Sequence, residues 1–309
     1  MKSDAALFDR RQFMAVAPLA MVPGWGAAPP SSPARFVKGV CAGIFPRNMP
    51  NAERCRRAKN AGFDAIEFPL SGEITLTSSP DEVKRLGDAA HKAGVAIASL
   101  WVSPLGSTPL NDPDPAVRSR GIEAIRKAIE FAGYLSCDAL LVVPGRVGSG
   151  AKFQVGYQVT WDRISAEFPK VIPFAEKARV HLTLENVSNR FLVSPLEMRA
   201  FVDQFRNPWV GAHFDIGNVM YFGYPQDWIL TLRDRIRRVH LKDRKVSPRA
   251  EQRQPSGLLE GDVDWEQVMA ALVKVGYRGY ACAEIGHDPN DPDQLKNLSA
   301  AVDKIFALA

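Results

Sequence analysis

Four short stretches in the second half of the chain each read as a strand that ends in a metal-binding type of residue: LTLEN with Glu185, AHFDIGN with Asp215, RRVHLKD with His240 and YACAEIG with Glu284. A single acid at a strand end says little, but four potential ligands at successive strand ends predict one site assembled across a common mouth. Their spacing fits the repeat of a (β/α)8 barrel, in which about 250 residues divide into eight units and active sites sit at the C-terminal ends of the strands.

The rest of the chain supplies the other units. Short runs rich in β-branched and apolar residues occur at 36–42 (FVKGVCA), 63–68 (FDAIEF), 95–101 (VAIASLW) and 139–145 (ALLVVPG), then at VHLTLEN, WVGAHFD, RIRRVHLK and YACAEI. Helical stretches separate them. Pro80-Asp81-Glu82 opens one, with acids suited to the positive end of the helix dipole, and Lys92-Ala93-Gly94 closes it. Others are expected over 116–135 and 160–178, after Ser194-Pro195, after Pro225, over 265–275 behind Asp264, and over 292–307. Strands alternating with helices predict a parallel sheet, and eight units close as an α/β barrel of one domain, residues 36–309. An open doubly wound sheet is the alternative. It lacks a Gly-rich first turn and would not gather strands five to eight around one cavity.

The first 28 residues differ in kind. Lys2, Arg10 and Arg11 precede an apolar run from Phe13 to Ala28, and the local order Arg10-Arg11-Gln12-Phe13 resembles a twin-arginine export signal. The expectation is a signal peptide over 1–28, a Pro/Ser linker over 29–35, engagement of the twin-arginine export machinery, and a periplasmic or secreted destination. Removing 1–28 takes away three basic and two acidic side chains, so the formal charge of +5 becomes +4. That weakly basic surface has no dense Lys/Arg tract, which argues against nucleic acid as a partner. The four cysteines never form CxxC and are expected as buried thiols. The glycines at 145, 148, 150 and 156 match no nucleotide fingerprint.

Two glutamates, an aspartate and a histidine offer three hard oxygens and one imidazole. The set suits one divalent ion, Mn²⁺ first, with Mg²⁺, Co²⁺ or Zn²⁺ as alternatives. Such an ion acidifies a C–H beside a carbonyl and stabilises the enediolate. Glu185 and Glu284 end strands that are not adjacent, so they can flank a substrate as acid and base. Two flanking bases permit epimerisation; one shuttling base gives aldose–ketose isomerisation. Lys242 shares the face of His240 and is expected to reach a substrate oxygen or a ligand carboxylate. Arg244 and Trp101 are expected at the substrate, Trp101 as a sugar platform. His213 and Asn186 are expected behind the ligands.

The segments ENVSNRFLVSPLE (185–197), FDIGNVMYFGYPQDWI (214–229), RVHLKD (238–243) and LLEGDVDWEQVMAALVKVGYRGYACAE (258–284) resemble the sugar phosphate isomerase/epimerase family of xylose-isomerase-like TIM barrels. The resemblance spans essentially the whole chain after the leader. It implies a ketose 3-epimerase-like centre in which Glu185, Asp215, His240 and Glu284 hold the metal and the two glutamates act as acid and base. Where such epimerases carry a substrate-binding histidine three residues after the aspartate, this chain has Asn218, whose amide is expected to bond a sugar hydroxyl. The expected activity is a divalent-metal-dependent isomerase or epimerase of a small carbohydrate, with a lyase or dehydratase on a keto-sugar, keto-glycoside or cyclic polyol ketone as the alternative. A multi-metal nuclease is disfavoured by the five histidines of the chain, and a non-catalytic sugar-binding barrel would not need two glutamates on the ion. The assembly state is left open, with a homo-oligomer among the expectations.

Overall fold

The computed structural model describes residues 36–148, 154–246 and 254–309; the expected signal peptide and linker lie outside the described residues. Eight parallel strands close into a barrel: β1 (Phe36–Cys41), β2 (Ala65–Pro69), β3 (Ala96–Trp101), β4 (Ala139–Val142), β5 (His181–Glu185), β6 (Val210–Asp215), β7 (Ile236–Leu241) and, after a small ribbon of β8 (Arg244–Lys245) with β9 (Gln254–Pro255), β10 (Gly279–Ala283). The order around the barrel is β1-β10-β7-β6-β5-β4-β3-β2. Closure leaves no strand edge, and the helices between strands bury the outer apolar face of the sheet.

The strands form where the apolar runs predict, because buried parallel strands have both faces covered and read as near-continuous hydrophobic sequence. Helix starts follow local chemistry. The Ser79 side chain accepts from the Glu82 N–H while the Glu82 carboxylate accepts from the Ser79 N–H, and Pro80 fills the first turn. Ser194, Pro195 and Glu197 repeat the arrangement, and Asp264 caps the helix Trp265–Lys274. All four cysteines are free and buried.

One helix differs from expectation. The stretch 160–178 is not continuous: it divides into Tyr157–Glu167, a 3-10 turn at Phe168–Lys170, and Ile172–Ala178. Pro169 and Pro173 are the cause, since each lacks the N–H of the helical ladder and clashes with the preceding turn. A short helix, Ile216–Val219, also follows β6 directly, with the Asp215 side chain accepting from the Asn218 N–H at its start. The helix that follows β5 and this short helix both leave from the barrel end that carries the ligands.

Candidate metal centre and active site

Strand register brings the four expected ligands to one level. Glu185 on β5 pairs with His213 on β6, Asp215 on β6 with His240 on β7, and His240 with Cys282 on β10. Glu284 follows the last residue of β10, and its N–H donates to the Leu241 carbonyl at 3.0 Å, extending the ladder by one step. One donor atom from each of Glu185, Asp215, His240 and Glu284 lies within 4.8 Å of the others. His240 Nδ1 is 3.3 Å from Glu185 Oε1, 3.4 Å from Glu284 Oε2 and 3.7 Å from Asp215 Oδ2.

The far side of the His240 ring explains its orientation. Nε2 lies 3.1 Å from Glu67 Oε1 and 3.5 Å from Cys41 Sγ. Glu67 in turn accepts from the Ser99 hydroxyl. A carboxylate at Nε2 places the ring hydrogen there, which leaves the Nδ1 lone pair facing the three carboxylates; this tautomer follows from the hydrogen-bond network. Nδ1 is buried and has no hydrogen-bond partner among the described residues. An unpaired nitrogen beside three carboxylate oxygens calls for a positive charge. Burial opposes charge on the ring, yet the acidic groups around it, Cys41 and Glu67 first, outweigh it and raise the His240 pKa well above the ordinary imidazole value, so without an ion a proton supplies that charge at Nδ1. The residues present therefore fit a divalent cation of the kind that takes three oxygens and one imidazole.

Asp215 is pinned by its neighbours. The Asn186 side chain brackets its backbone, Oδ1 accepting from the Asp215 N–H at 3.0 Å and Nδ2 donating to the Asp215 carbonyl at 2.8 Å. The Asn218 N–H donates to Oδ1 at 2.7 Å, which turns Oδ2 toward Lys242 and His240. The Asn218 side chain, expected at the substrate, is placed differently: Nδ2 donates to the Asn186 carbonyl and Oδ1 accepts from Arg244 Nη2. Both ends of the amide are engaged with protein, and the residue is absent from the cavity wall. His213 stacks edge-on against His240 with ring centroids 4.2 Å apart.

The cavity above the ligands has a volume of about 340 Å³. That is at the lower end of small-molecule sites, roughly 300–1,000 Å³, and suits a single sugar unit. Lys242 lines it, with Nζ 2.5 Å from Glu284 Oε2 and 3.3 Å from Asp215 Oδ2. The chain reaches this position because residue 217 is glycine: a Cβ there would sit 2.8 Å from the Lys242 side chain and 2.9 Å from its carbonyl oxygen. Arg244 also lines the cavity, and its buried Nε has no hydrogen-bond partner among the described residues. Trp101 forms part of the wall and is 40% exposed, an aromatic face open at the mouth.

Three residues important to this arrangement were given no role from the sequence. Glu67 orients His240. Cys41 touches the same ring. Asp243 is buried and accepts from the N–H groups of Arg244, Leu259 and Val263 and from Trp265 Nε1, so it ties the segment after the ribbon to the mouth. The available signal for Glu67 was an acid set between the apolar residues Ile66 and Phe68 of a strand.

Charge is distributed unevenly between the two glutamates. Burial raises the pKa of Glu185 to about 7, only partly offset by His240. For Glu284, burial is outweighed by the hydrogen bond and charge of His240 and by Lys242, which hold it well below the usual carboxylate range. Burial also raises Asp215. For Lys242, burial favours the neutral amine, but Asp215 and Glu284 outweigh it and raise its pKa. A ligand must be deprotonated to bind an ion. Glu185 is protonated below about pH 7, so divalent-ion affinity is expected to fall as pH drops through that value. Calorimetric titration with Mn²⁺ across that range checks this, and a pH-independent affinity would contradict it.

The fold and site define a class: a closed parallel (β/α)8 barrel whose C-terminal mouth carries three carboxylates and an imidazole around one cavity. The model of the xylose isomerase-like TIM barrel family matches residues 55–305, and the chain belongs to that family. Among curated relatives, the L-ribulose-5-phosphate 3-epimerase UlaE of Salmonella paratyphi C is 30% identical over 257 residues, covering 78% of this chain and 86% of that protein. Among solved structures, D-psicose 3-epimerase of Clostridium cellulolyticum H10, determined with D-tagatose, superposes with a TM-score of 0.73 at 18% identity, covering 87% of this chain and 98% of that one. The 3-keto-D-glucoside 4-epimerase YcjR of E. coli superposes with a TM-score of 0.70 at 15% identity, covering 88% and 100%.

Proposed function

We propose that this chain is a divalent-metal-dependent carbohydrate epimerase that abstracts a proton from a carbon beside a carbonyl and returns it to the opposite face. The observation that carries the reading is the unpaired His240 Nδ1 facing Glu185, Asp215 and Glu284 at the foot of a sugar-sized cavity. The curated relative named as an L-ribulose-5-phosphate 3-epimerase supports the reaction class.

Glu185, Asp215, His240 and Glu284 would hold the ion. When bound, it supplies positive charge that acidifies the C–H next to a carbonyl and stabilises the negative charge developing on the neighbouring oxygens. The protein's own groups do the rest. Glu185 and Glu284 rise from β5 and β10, with β6 and β7 between them, so one carboxylate takes the carbon-bound proton and the other delivers one from across the substrate. Lys242 places a positive charge beside Glu284 and donates hydrogen bonds at the cavity floor. The exposed face of Trp101 offers an apolar platform for the C–H face of a sugar ring and keeps water from that side.

Treating the protein with a chelator is expected to abolish turnover, and Mn²⁺ or Co²⁺ to restore it. The assay is NMR product analysis against free ketoses, ketose phosphates and keto-glycosides. Full activity in the chelated protein, or no product from any of these substrates, would contradict the proposal. The leader belongs to the same reading: we propose export through the twin-arginine route on the strength of Arg10-Arg11 and the apolar run that follows. Replacing both arginines with lysine should retain the precursor in the cytoplasm, and unchanged recovery outside it would remove that part.

A further inference from the structure

A second cluster of ligand-type atoms lies on the opposite side of the His240 ring. Cys41, Glu67 and His240 offer donor atoms within 4.8 Å of one another. Cys41 ends β1 and Glu67 lies on β2, the next strand of the barrel, where the two residues are register partners. Their spacing is specific. Sγ to Nε2 is 3.5 Å, Sγ to Glu67 Oε1 is 3.6 Å, and Nε2 to Oε1 is 3.1 Å. A tetrahedral zinc-type ion with bonds of about 2.3 Å to sulfur and about 2.0–2.1 Å to nitrogen or oxygen requires ligand-to-ligand edges of roughly 3.3–3.6 Å. The three protein atoms already stand close to those edges.

An independent observation points to the same place. The Thr183 hydroxyl donates to the Leu140 carbonyl at 2.6 Å, so at 3.2 Å it accepts from His213 Nδ1–H. His213 therefore turns an Nε2 lone pair toward Glu67 Oε2 at 3.6 Å, and that nitrogen is buried without a hydrogen-bond partner among the described residues. A lone pair facing a carboxylate with no hydrogen between them is electrostatically unfavourable, and a cation on Glu67 would relieve it. Cys41, Glu67 and His240 all line the cavity, so the fourth position of such an ion is open to water or to a ligand oxygen.

We propose that Cys41, Glu67 and His240 form a second divalent-ion site, back to back with the proposed four-ligand centre across the His240 ring, and that its thiolate selects Zn²⁺ or Co²⁺ over Mn²⁺. It rests on the proposed centre only in sharing His240. Thiolate ligands favour softer ions, whereas the three-carboxylate side accepts hard ones. Binding exchanges protons for the ion: the Cys41 S–H and the His240 Nε2–H each give up a proton to solvent, one S–metal, one N–metal and one Glu67 O–metal bond form, and the hydrated ion releases the three waters they replace. With an ion on each nitrogen the His240 ring carries a negative charge. It then becomes a stronger ligand for the ion on the carboxylate side.

The experiment titrates the metal-free full chain with Mn²⁺ and, separately, with Co²⁺. Mn²⁺ is expected to saturate at one equivalent. Co²⁺ is expected to reach two, one of them accompanied by the near-ultraviolet charge-transfer absorption of a cobalt–thiolate bond. Cys41→Ala and Cys41→Ser should each bind one Co²⁺ without that band, keep the single Mn²⁺, and retain the circular dichroism of the parent. Co²⁺ stopping at one equivalent without the band would overturn the inference, as would two equivalents persisting with the band in Cys41→Ala. Failure of the four-ligand reading looks different: Mn²⁺ would not bind while the cobalt–thiolate band still appeared.

Discussion

Glu185→Gln and Glu284→Gln, each saturated with divalent ion, are expected to lower turnover by about 10²-fold or more, the usual contribution of a positioned general acid or base. Glutamine keeps the side-chain shape and one oxygen donor but removes the charge that accepts a proton. The two variants should not fail identically. An epimerase with bases on opposite faces is expected to retain solvent-deuterium exchange from one epimer only in each variant, and from the opposite epimer in the other. A single-base isomerase would lose exchange in one variant and keep it in the other. Ion stoichiometry measured alongside separates loss of chemistry from loss of metal. Near-normal turnover in both ion-loaded variants would reduce the glutamates to ligands and defeat the proposed mechanism.

Glu67→Gln is expected to weaken Mn²⁺ binding by about 10- to 100-fold, the effect typical of removing the carboxylate that orients a metal-bound histidine. The side chain is buried against His240 Nε2 and held by Ser99. The amide can still accept from Nε2, but its NH₂ end can be placed there as easily, and it no longer supports the basicity of Nδ1. Calorimetry with Mn²⁺ measures the loss. Because Glu67 is not among the four ligands of the proposed Mn²⁺ centre, the stoichiometry should remain one. Unchanged affinity would mean that packing alone fixes the ring.

Among the site residues, legibility divides along a physical line. Glu185, Asp215, His240 and Glu284 could be read because each is a polar residue at or just past the end of an apolar run, and strand ends of a parallel barrel converge on one face. Lys242 could be placed beside them by the two-residue alternation of a strand, which puts residues 238, 240 and 242 on one side. Asn218 was read as a substrate group because a local reading sees only its distance from Asp215. Its amide is instead taken by Asn186 and by Arg244, residues 32 and 26 positions away along the chain. The helix broken at Pro169 and Pro173 shows the converse: the signal was present in the sequence, and the prolines outweighed the apolar spacing.

The eight alternating units, the caps at Ser79, Ser194 and Asp264, and the chemistry of the strand ends are legible along the chain, because each depends on residues a few positions apart. Only the tertiary structure decided that β1 and β10 meet to close the barrel, that Glu67 and Cys41 stand behind His240, and that Glu284 shares Lys242 with Asp215. Glu67 and His240 are 173 residues apart in the chain. No local propensity encodes such a contact: it exists because closing the sheet brings the inward faces of non-neighbouring strands to within a side-chain length of one another.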